Sequence, residues 1–319
     1  MPWRGILLLA ALALVPRRQP GIVAEAPVSV PSTRIVLGGD VMLSRYVGRV
    51  ARARQDPAGP LRELAPYLAA ADIAFVNLEA PFSDRGPRVE TGMVFKTEPE
   101  MIEALRLAGI DVVSTANNHA RDCGSHGLEF TLDWLGRHGV LAAGTGRTEV
   151  EAHAGAVLVR NGVRFGFLGY TYDQSNGNYP KADTRVAMLD IGRMRDDVGQ
   201  LRRRADVVIV SMHAGAEYQP KAGVQQRAFA HAAIDAGASL VVGHHPHVVE
   251  ETERYRDGVI LYSLGNLVFD QFQRKETQRG WLAEVRFRGA TIERYDLRTV
   301  QIGRTGPVFA DQPRLAASR

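Results

Sequence analysis

Residues 72–79 read Asp72-Ile73-Ala74-Phe75-Val76-Asn77-Leu78-Glu79, a short apolar run that turns polar at its last positions. Such a run, bounded by polar residues, suits a strand buried on both faces, as parallel sheets require. Its polar end matters because α/β folds gather their ligands beyond the carboxyl ends of the strands. The same form recurs along the chain. Arg34–Gly39 (Arg-Ile-Val-Leu-Gly-Gly) leads into Asp40, and Asp111–Ala116 leads into Asn117, Asn118 and His119. Asp206–Met212 leads into His213, and Ser239–Gly243 leads into His244, His245, Pro246 and His247.

Between these runs, the apolar spacing predicts helices near residues 61–71, 98–108, 127–138, 191–205 and 225–236. Asn161-Gly162 predicts a hairpin turn joining 155–159 to 163–170. The C-terminal part, around 259–262 and 281–288, is rich in strand and poor in helix. Together these define an α/β chain with a mixed-sheet sandwich flanked by helices. Residues 172–185, with Asn176-Gly177-Asn178 and Pro180, predict a loop long enough to border a site.

The N-terminus has Arg4 followed by eleven apolar residues, Gly5–Val15. That is the form of a signal-peptide core and is short for a membrane span. Residues 1–26 are therefore expected to be a signal peptide or N-terminal anchor, with the A-x-A pattern Ala24-Glu25-Ala26 at its end. Residues 27–33 are read as a linker, 34–305 as one folded domain and 306–319 as a tail. The chain is expected to be exported, and to be periplasmic, extracellular or tethered to the cell membrane through its N-terminus.

A length of 319 residues can bury a substantial core, and 45% apolar with 23% charged residues is ordinary for a soluble domain. The formal charge of +4 includes Arg202-Arg203-Arg204, which suits a helix C-terminus, where cations meet the negative end of the dipole. No aromatic residues interleave with the basic ones, so nucleic acid is not an expected partner. Cys123 is the single cysteine, which excludes an intramolecular disulfide or a multi-cysteine zinc site. It is read as a small turn or core residue in preference to a nucleophile.

Each polar strand end has an ordinary reading by itself: Asp40 as a helix cap, Glu79 as a surface charge, His213 as a hydrogen-bonded core residue. Five of them at strand ends are instead expected to converge on a metal site. Gly243-His244-His245-Pro246-His247, three imidazoles within four positions, is the strongest of these signals. Imidazole nitrogen with carboxylate and amide oxygen suits manganese, iron or zinc. One or two such ions, the second bridged by a carboxylate, support metal-assisted hydrolysis. His119 would protonate the leaving group or stabilise charge.

These motifs resemble the CapA family. The residues that carry the resemblance are Gly39-Asp40-Val41-Met42-Leu43, Asn77-Leu78-Glu79, Asn117-Asn118-His119, His213-Ala214-Gly215, Gly243–His247 and Tyr262-Ser263-Leu264-Gly265-Asn266. The family is named for poly-γ-glutamate capsule synthesis and belongs to the calcineurin-like metallophosphoesterase superfamily. The resemblance implies a four-layer α/β/β/α sandwich of the metallo-dependent phosphatase type and a dinuclear centre. Carried over by motif, it implies Asp40 and His247 for the first metal, Glu79 at the bridging position, and Asn118, His213 and His245 for the second. His119 would be the acid, and His244 and Asn77 would stand behind the ligands. Asn266 is expected either to donate to substrate or to serve a glycine turn, and Arg45, Lys96 and Tyr218 to meet an anionic substrate.

The superfamily usually has Asp-x-His at the first motif, and position 42 here is Met. The first metal is therefore expected to be weakly held, differently ligated or absent, and the second group to be the complete one. The leading expectation is a metal-dependent hydrolase acting on an anionic capsule or envelope polymer. A non-catalytic assembly or transport component and a general metallophosphodiesterase with a phosphoester substrate are the alternatives.

Overall fold

The computed structural model describes residue 1 and residues 30–86, 93–172 and 183–310. The expected leader, most of the expected loop at 172–185 and the last nine positions of the tail lie outside the described residues. From Pro31 onward the chain builds one compact unit.

Its first half alternates strand and helix: β1 (Ser32–Val41), α1 (Arg45–Ala53), α2 (Ala65–Ala69), β2 (Ile73–Leu78), α3 (Ile102–Leu107), β3 (Val112–Ser114), α4 (Gly124–Arg137) and β4 (Leu141–Ala143). Then follow α5 (Glu149–Ala154), β5 (Ala156–Arg160), β6 (Val163–Thr171), α6 (Ile191–Leu201), β7 (Val207–His213), α7 (Val224–Ala236) and β8 (Leu240–His244). The remainder is strand: β9 (Thr252–Tyr255), β10 (Gly258–Leu261), β11 (Asn266–Val268), β12 (Arg279–Arg288), β13 (Thr291–Gly303) and β14 (Gly306–Phe309).

Two sheets form. One has the order β14-β13-β12-β1-β2-β3-β4, with β11 also on β1, and the other has the order β5-β6-β7-β8-β10-β9. The strands that carry the site, β1-β2-β3 and β7-β8, run parallel within their sheets, so their carboxyl ends share an edge. Strand alternation explains the layers. In β1, Ile35 and Leu37 face the second sheet, where they join Phe75, Phe167, Ile209 and Val242 in an apolar layer. Val36 points the other way, into a core with Leu68, Leu105 and Leu135 of the first helical layer. On the far side, Val208, Val210 and Val241 pack on Val198, Leu201 and Phe229 of α6 and α7. The result is the four-layer α/β/β/α sandwich. The Phe75 and Phe167 rings stack 5.8 Å apart between the sheets, and truncating such a buried ring typically costs about 3–5 kcal/mol.

Several boundaries depart from the expected ones. The helix expected at 61–71 is a 3₁₀ turn at Gly59–Leu61 followed by the short α2, each with proline in its first turn. Pro66 has no amide hydrogen, so α2 starts afresh there and does not continue the earlier turn. The segment at 98–108 likewise opens as a 3₁₀ turn over Pro99–Met101. Helix α6 stops at Leu201 with Arg202 as its cap, which places the arginine run at a helix end. Strand β1 starts at Ser32, before the expected boundary at 34. Strand β14 pairs antiparallel with β13, so the fold runs to Phe309 and residues 306–309 are part of the sheet, not of a tail.

Candidate metal centre

Asp40 reaches the site because β1 bulges. Its pairing with β2 runs Leu37 to Phe75 and then Asp40 to Asn77, so three residues are accommodated against two. The glycines before Asp40 allow this. A side chain on Gly39 would sit 1.8 Å from the Gly265 carbonyl oxygen, and the Asp40 amide donates to that same oxygen at 3.0 Å. Gly243 does the same for the histidine cluster, since a Cβ there would lie 1.7 Å from the Tyr262 carbonyl. Beyond it the chain turns sharply: His245 has φ 98° and His247 has φ 60°. Backbone strain at two non-glycine residues of one loop is characteristic of a functional site.

Asp40, Glu79 and His247 are all buried and bring one ligand atom each to within 4.8 Å of one another. His247 Nδ1 is 3.4 Å from Asp40 Oδ2, and His247 Nε2 is 3.7 Å from Glu79 Oε1. Glu79 Oε1 is buried and has no hydrogen-bond partner, a costly state for a carboxylate oxygen unless a cation meets it. Burial, and then the charge of Asp40, push the Glu79 carboxyl well above the usual range. Burial would also raise Asp40, but the imidazoles of His244 and His247 beside it outweigh that and hold the carboxyl well below its ordinary value. Two carboxyls and an imidazole around an unpaired oxygen fit a divalent metal ion.

A second group adjoins the first. His213 Nε2 lies 2.8 Å from Asn118 Oδ1 and 3.2 Å from His245 Nδ1. Burial, followed by the nearby His245, lowers the His213 pKa well below 6.5. Burial and then His247 take His245 down to about 4. Both imidazoles are therefore neutral near pH 7, as metal ligands must be. Asn77 ties the groups together: its Nδ2 donates to Asp40 Oδ1 at 2.8 Å and lies 3.3 Å from His213 Nδ1. His244 is buried with Nδ1 3.5 Å from Asp40 Oδ1, behind the carboxylate.

His119 is held by a residue that sequence reasoning passed over. Asp122 Oδ2 lies 2.7 Å from His119 Nδ1 and accepts the Phe95 amide at 2.6 Å. Phe95 stacks on the imidazole with centroids 3.8 Å apart. Phe269 then links Phe95 to His247, at 5.8 and 4.6 Å. The i, i+3 spacing of His119 and Asp122 was the signal available in the sequence.

Met42 is not among the ligands. It packs with Ala80, Phe95 and Phe269, and its sulfur accepts the Ser44 amide and hydroxyl at 3.2 and 3.1 Å. Arg45 is clamped by Asp270 at 3.1 and 2.5 Å and lies over the Phe95 ring. Lys96 pairs with Glu98, and Tyr218 lies 6.4 Å from His247, ring to ring. Asn266 has no donor left for a substrate, because Nδ2 donates to Gln271 Oε1 at 3.1 Å and to the Thr277 carbonyl at 3.0 Å. Cys123 is buried, and that burial pushes its thiol up to about 12, which removes it as a nucleophile at neutral pH.

This sandwich, with its ligand-type residues at the shared strand ends, is the calcineurin-like metallophosphoesterase fold. A hypothetical protein from Thermus thermophilus superposes with a TM-score of 0.54 at 19% identity, over 84% of this chain and 99% of that one. A candidate 5′-nucleotidase from Staphylococcus aureus superposes with a TM-score of 0.50 at 13% identity, over 88% and 55%. Residues 34–271 match the family described as bacterial capsule synthesis protein PGA_cap, and the chain belongs to that family. Among its relatives, the PGA biosynthesis protein CapA of Bacillus subtilis (strain 168) is 32% identical over 83% of this chain and 68% of its own length. The capsule biosynthesis protein CapA of Bacillus anthracis is 30% identical over 82% of this chain, the match spanning 62% of that relative.

Proposed function

We propose that this chain is a metal-dependent hydrolase of capsule or envelope polymer synthesis, acting on an anionic polymer of the poly-γ-glutamate kind at its γ-glutamyl amides. The observation that carries the reading is the buried, partnerless Glu79 Oε1 within ligand distance of Asp40 and His247. Family membership supports the pathway, and the relatives' names supply the polymer. Asp40, Glu79 and His247 would hold one divalent ion, and Asn118, His213 and His245 a second. An ion there supplies Lewis acidity and lowers the pKa of water, so that hydrolysis proceeds near neutral pH.

The chain's own residues do the rest. The two carboxyls and the neutral imidazoles set the charge of the site, and Asn77 fixes the spacing of its halves. As the amide C–N bond breaks and water oxygen adds to the carbonyl carbon, His119 gives a proton to the leaving nitrogen. Asp122 stabilises the charged imidazole and fixes its ring. Phe95 and Phe269 wall one side of the site. The apolar run at the N-terminus supports export, with the mature chain outside the cytoplasm or tethered to the membrane. No helix among the described residues is long and apolar enough to cross a bilayer.

The test is release of new amine ends from poly-γ-glutamate by the manganese-loaded chain, with bis-nitrophenyl phosphate assayed in parallel. His119→Ala should reduce amide turnover by about 10²–10⁴-fold. A purified chain that takes up no divalent ion, and functions fully as His247→Ala, would contradict the proposal.

A further inference from the structure

Asn266 opens β11, where it pairs with Asp40 of β1. Its side chain is fully buried, and every polar atom on it has a partner. The Thr277 carbonyl can only accept, so the atom 3.0 Å from it must be the amide nitrogen. The second hydrogen of that nitrogen goes to Gln271 Oε1 at 3.1 Å. Asn266 Oδ1 is thereby forced to face His247 Nδ1, 3.0 Å away. An amide oxygen cannot donate, so Nδ1 must carry the imidazole proton. Asp40 Oδ2 lies 3.4 Å from the same nitrogen. With a single proton on the ring, the lone pair is left on Nε2, the atom 3.7 Å from the partnerless Glu79 Oε1.

We infer that Asn266, anchored by the Thr277 carbonyl and Gln271, is a positioning residue that locks His247 in its Nδ1–H form and commits Nε2 to the ion. Gln271 is oriented in turn by Asn266, since Nδ2 of Asn266 can only donate and must face Gln271 Oε1, which leaves Gln271 Nε2 to donate to Tyr218 Oη at 3.4 Å. The sequence places these parts at 218, 247, 266, 271 and 277, and only the approach of β11 to β1 assembles them. The role follows from hydrogen-bond accounting. It rests on the metal-site reading only for its consequence, since the ring form is a property of the ion-free protein as well.

Two readouts separate those parts. Nitrogen-15 NMR of the His247 ring in the ion-free full chain should show the Nδ1–H form, and Asn266→Leu should turn it into a mixture. Gln271→Glu, which keeps the acceptor for Asn266, should leave the ring form unchanged. Manganese titration should show a 10–100-fold loss of affinity in Asn266→Leu, the range typical when a partner behind a metal ligand is removed. An Nε2–H ring in the wild type overturns the inference without any variant having to fold. So does an Nδ1–H ring that persists unmixed in a folded Asn266→Leu. A wild type with the Nδ1–H ring that binds no manganese overturns the metal consequence and the proposed function, while the ring assignment stands.

Discussion

In the group of Asn118, His213 and His245, His213 Nε2 already meets Asn118 Oδ1 and His245 Nδ1, whereas the group of Asp40, Glu79 and His247 leaves Glu79 Oε1 with no hydrogen bond at all. In the former, Asn77 turns its amide nitrogen toward His213 Nδ1, so the proton of the neutral ring lies on Nε2, against Asn118 Oδ1. An ion entering there must first displace a hydrogen bond. In the latter, the imidazole already directs a lone pair inward and two carboxyl groups bring negative charge. The comparison teaches that ligand count is a poor guide to which half binds first. Satisfaction in the ion-free state matters as much, because an unpaired buried oxygen raises the free energy that an ion then lowers. We expect the Asp40 half to fill first, the reverse of the order suggested by Met42 alone.

Asp40 touches both halves, so Asp40→Ala should abolish the distinction between them. It should remove both equivalents of bound ion and reduce metal-dependent turnover by on the order of 10³-fold, worth several kcal/mol. Elemental analysis and steady-state kinetics on a variant shown by circular dichroism to be folded would check this. His247→Ala and His213→Ala should split the halves. The former should weaken the first equivalent by about 100-fold, and the latter should leave it within about threefold while removing the second. Isothermal titration with manganese reads both numbers, and equal effects would erase the ordering.

A smaller effect concerns pH. Burial holds His245 at about 4 in the fold, against about 6.5 when unfolded. The stability that this neutral ring contributes is present above about pH 6.5 and is lost as pH falls toward 4, because the unfolded chain takes up the proton first. The loss should amount to roughly 1–3 kcal/mol. Denaturant melts of the ion-free protein should therefore weaken across that window, and the slope should be shallower in His245→Gln. An unchanged slope would place the titration elsewhere.

Much of this architecture could be read from residue pattern. The runs at 34–39, 72–78, 206–212 and 239–243 are buried strands because parallel strands between layers must be apolar on both faces, and that produces continuous runs. Strand β13 escaped notice because it is mostly polar and only partly buried, so it has neither a clean alternation nor an apolar run. Helix α2 was overextended because periodicity does not register the break that Pro66 imposes. The site was legible as far as residue type at strand ends goes. Asp122, Phe95 and Gln271 were not, since what makes them relevant is a hydrogen bond or a ring contact formed only after the chain folds. Asn266 was visible as a residue, but its role depended on which way its amide points.

Glu79→Gln tests the central claim most directly, by thermal melting at pH 7.5 with and without manganese. Ionising the buried Glu79 costs stability that is present below about pH 4.5 and is lost as pH rises. The ion-free Gln variant should therefore melt at or above the wild type, and manganese should raise the wild-type Tm by several degrees and the variant's by clearly less, through the Asn118, His213 and His245 group alone. An equal manganese shift in both proteins, or none in the wild type, would contradict a metal site at Asp40, Glu79 and His247.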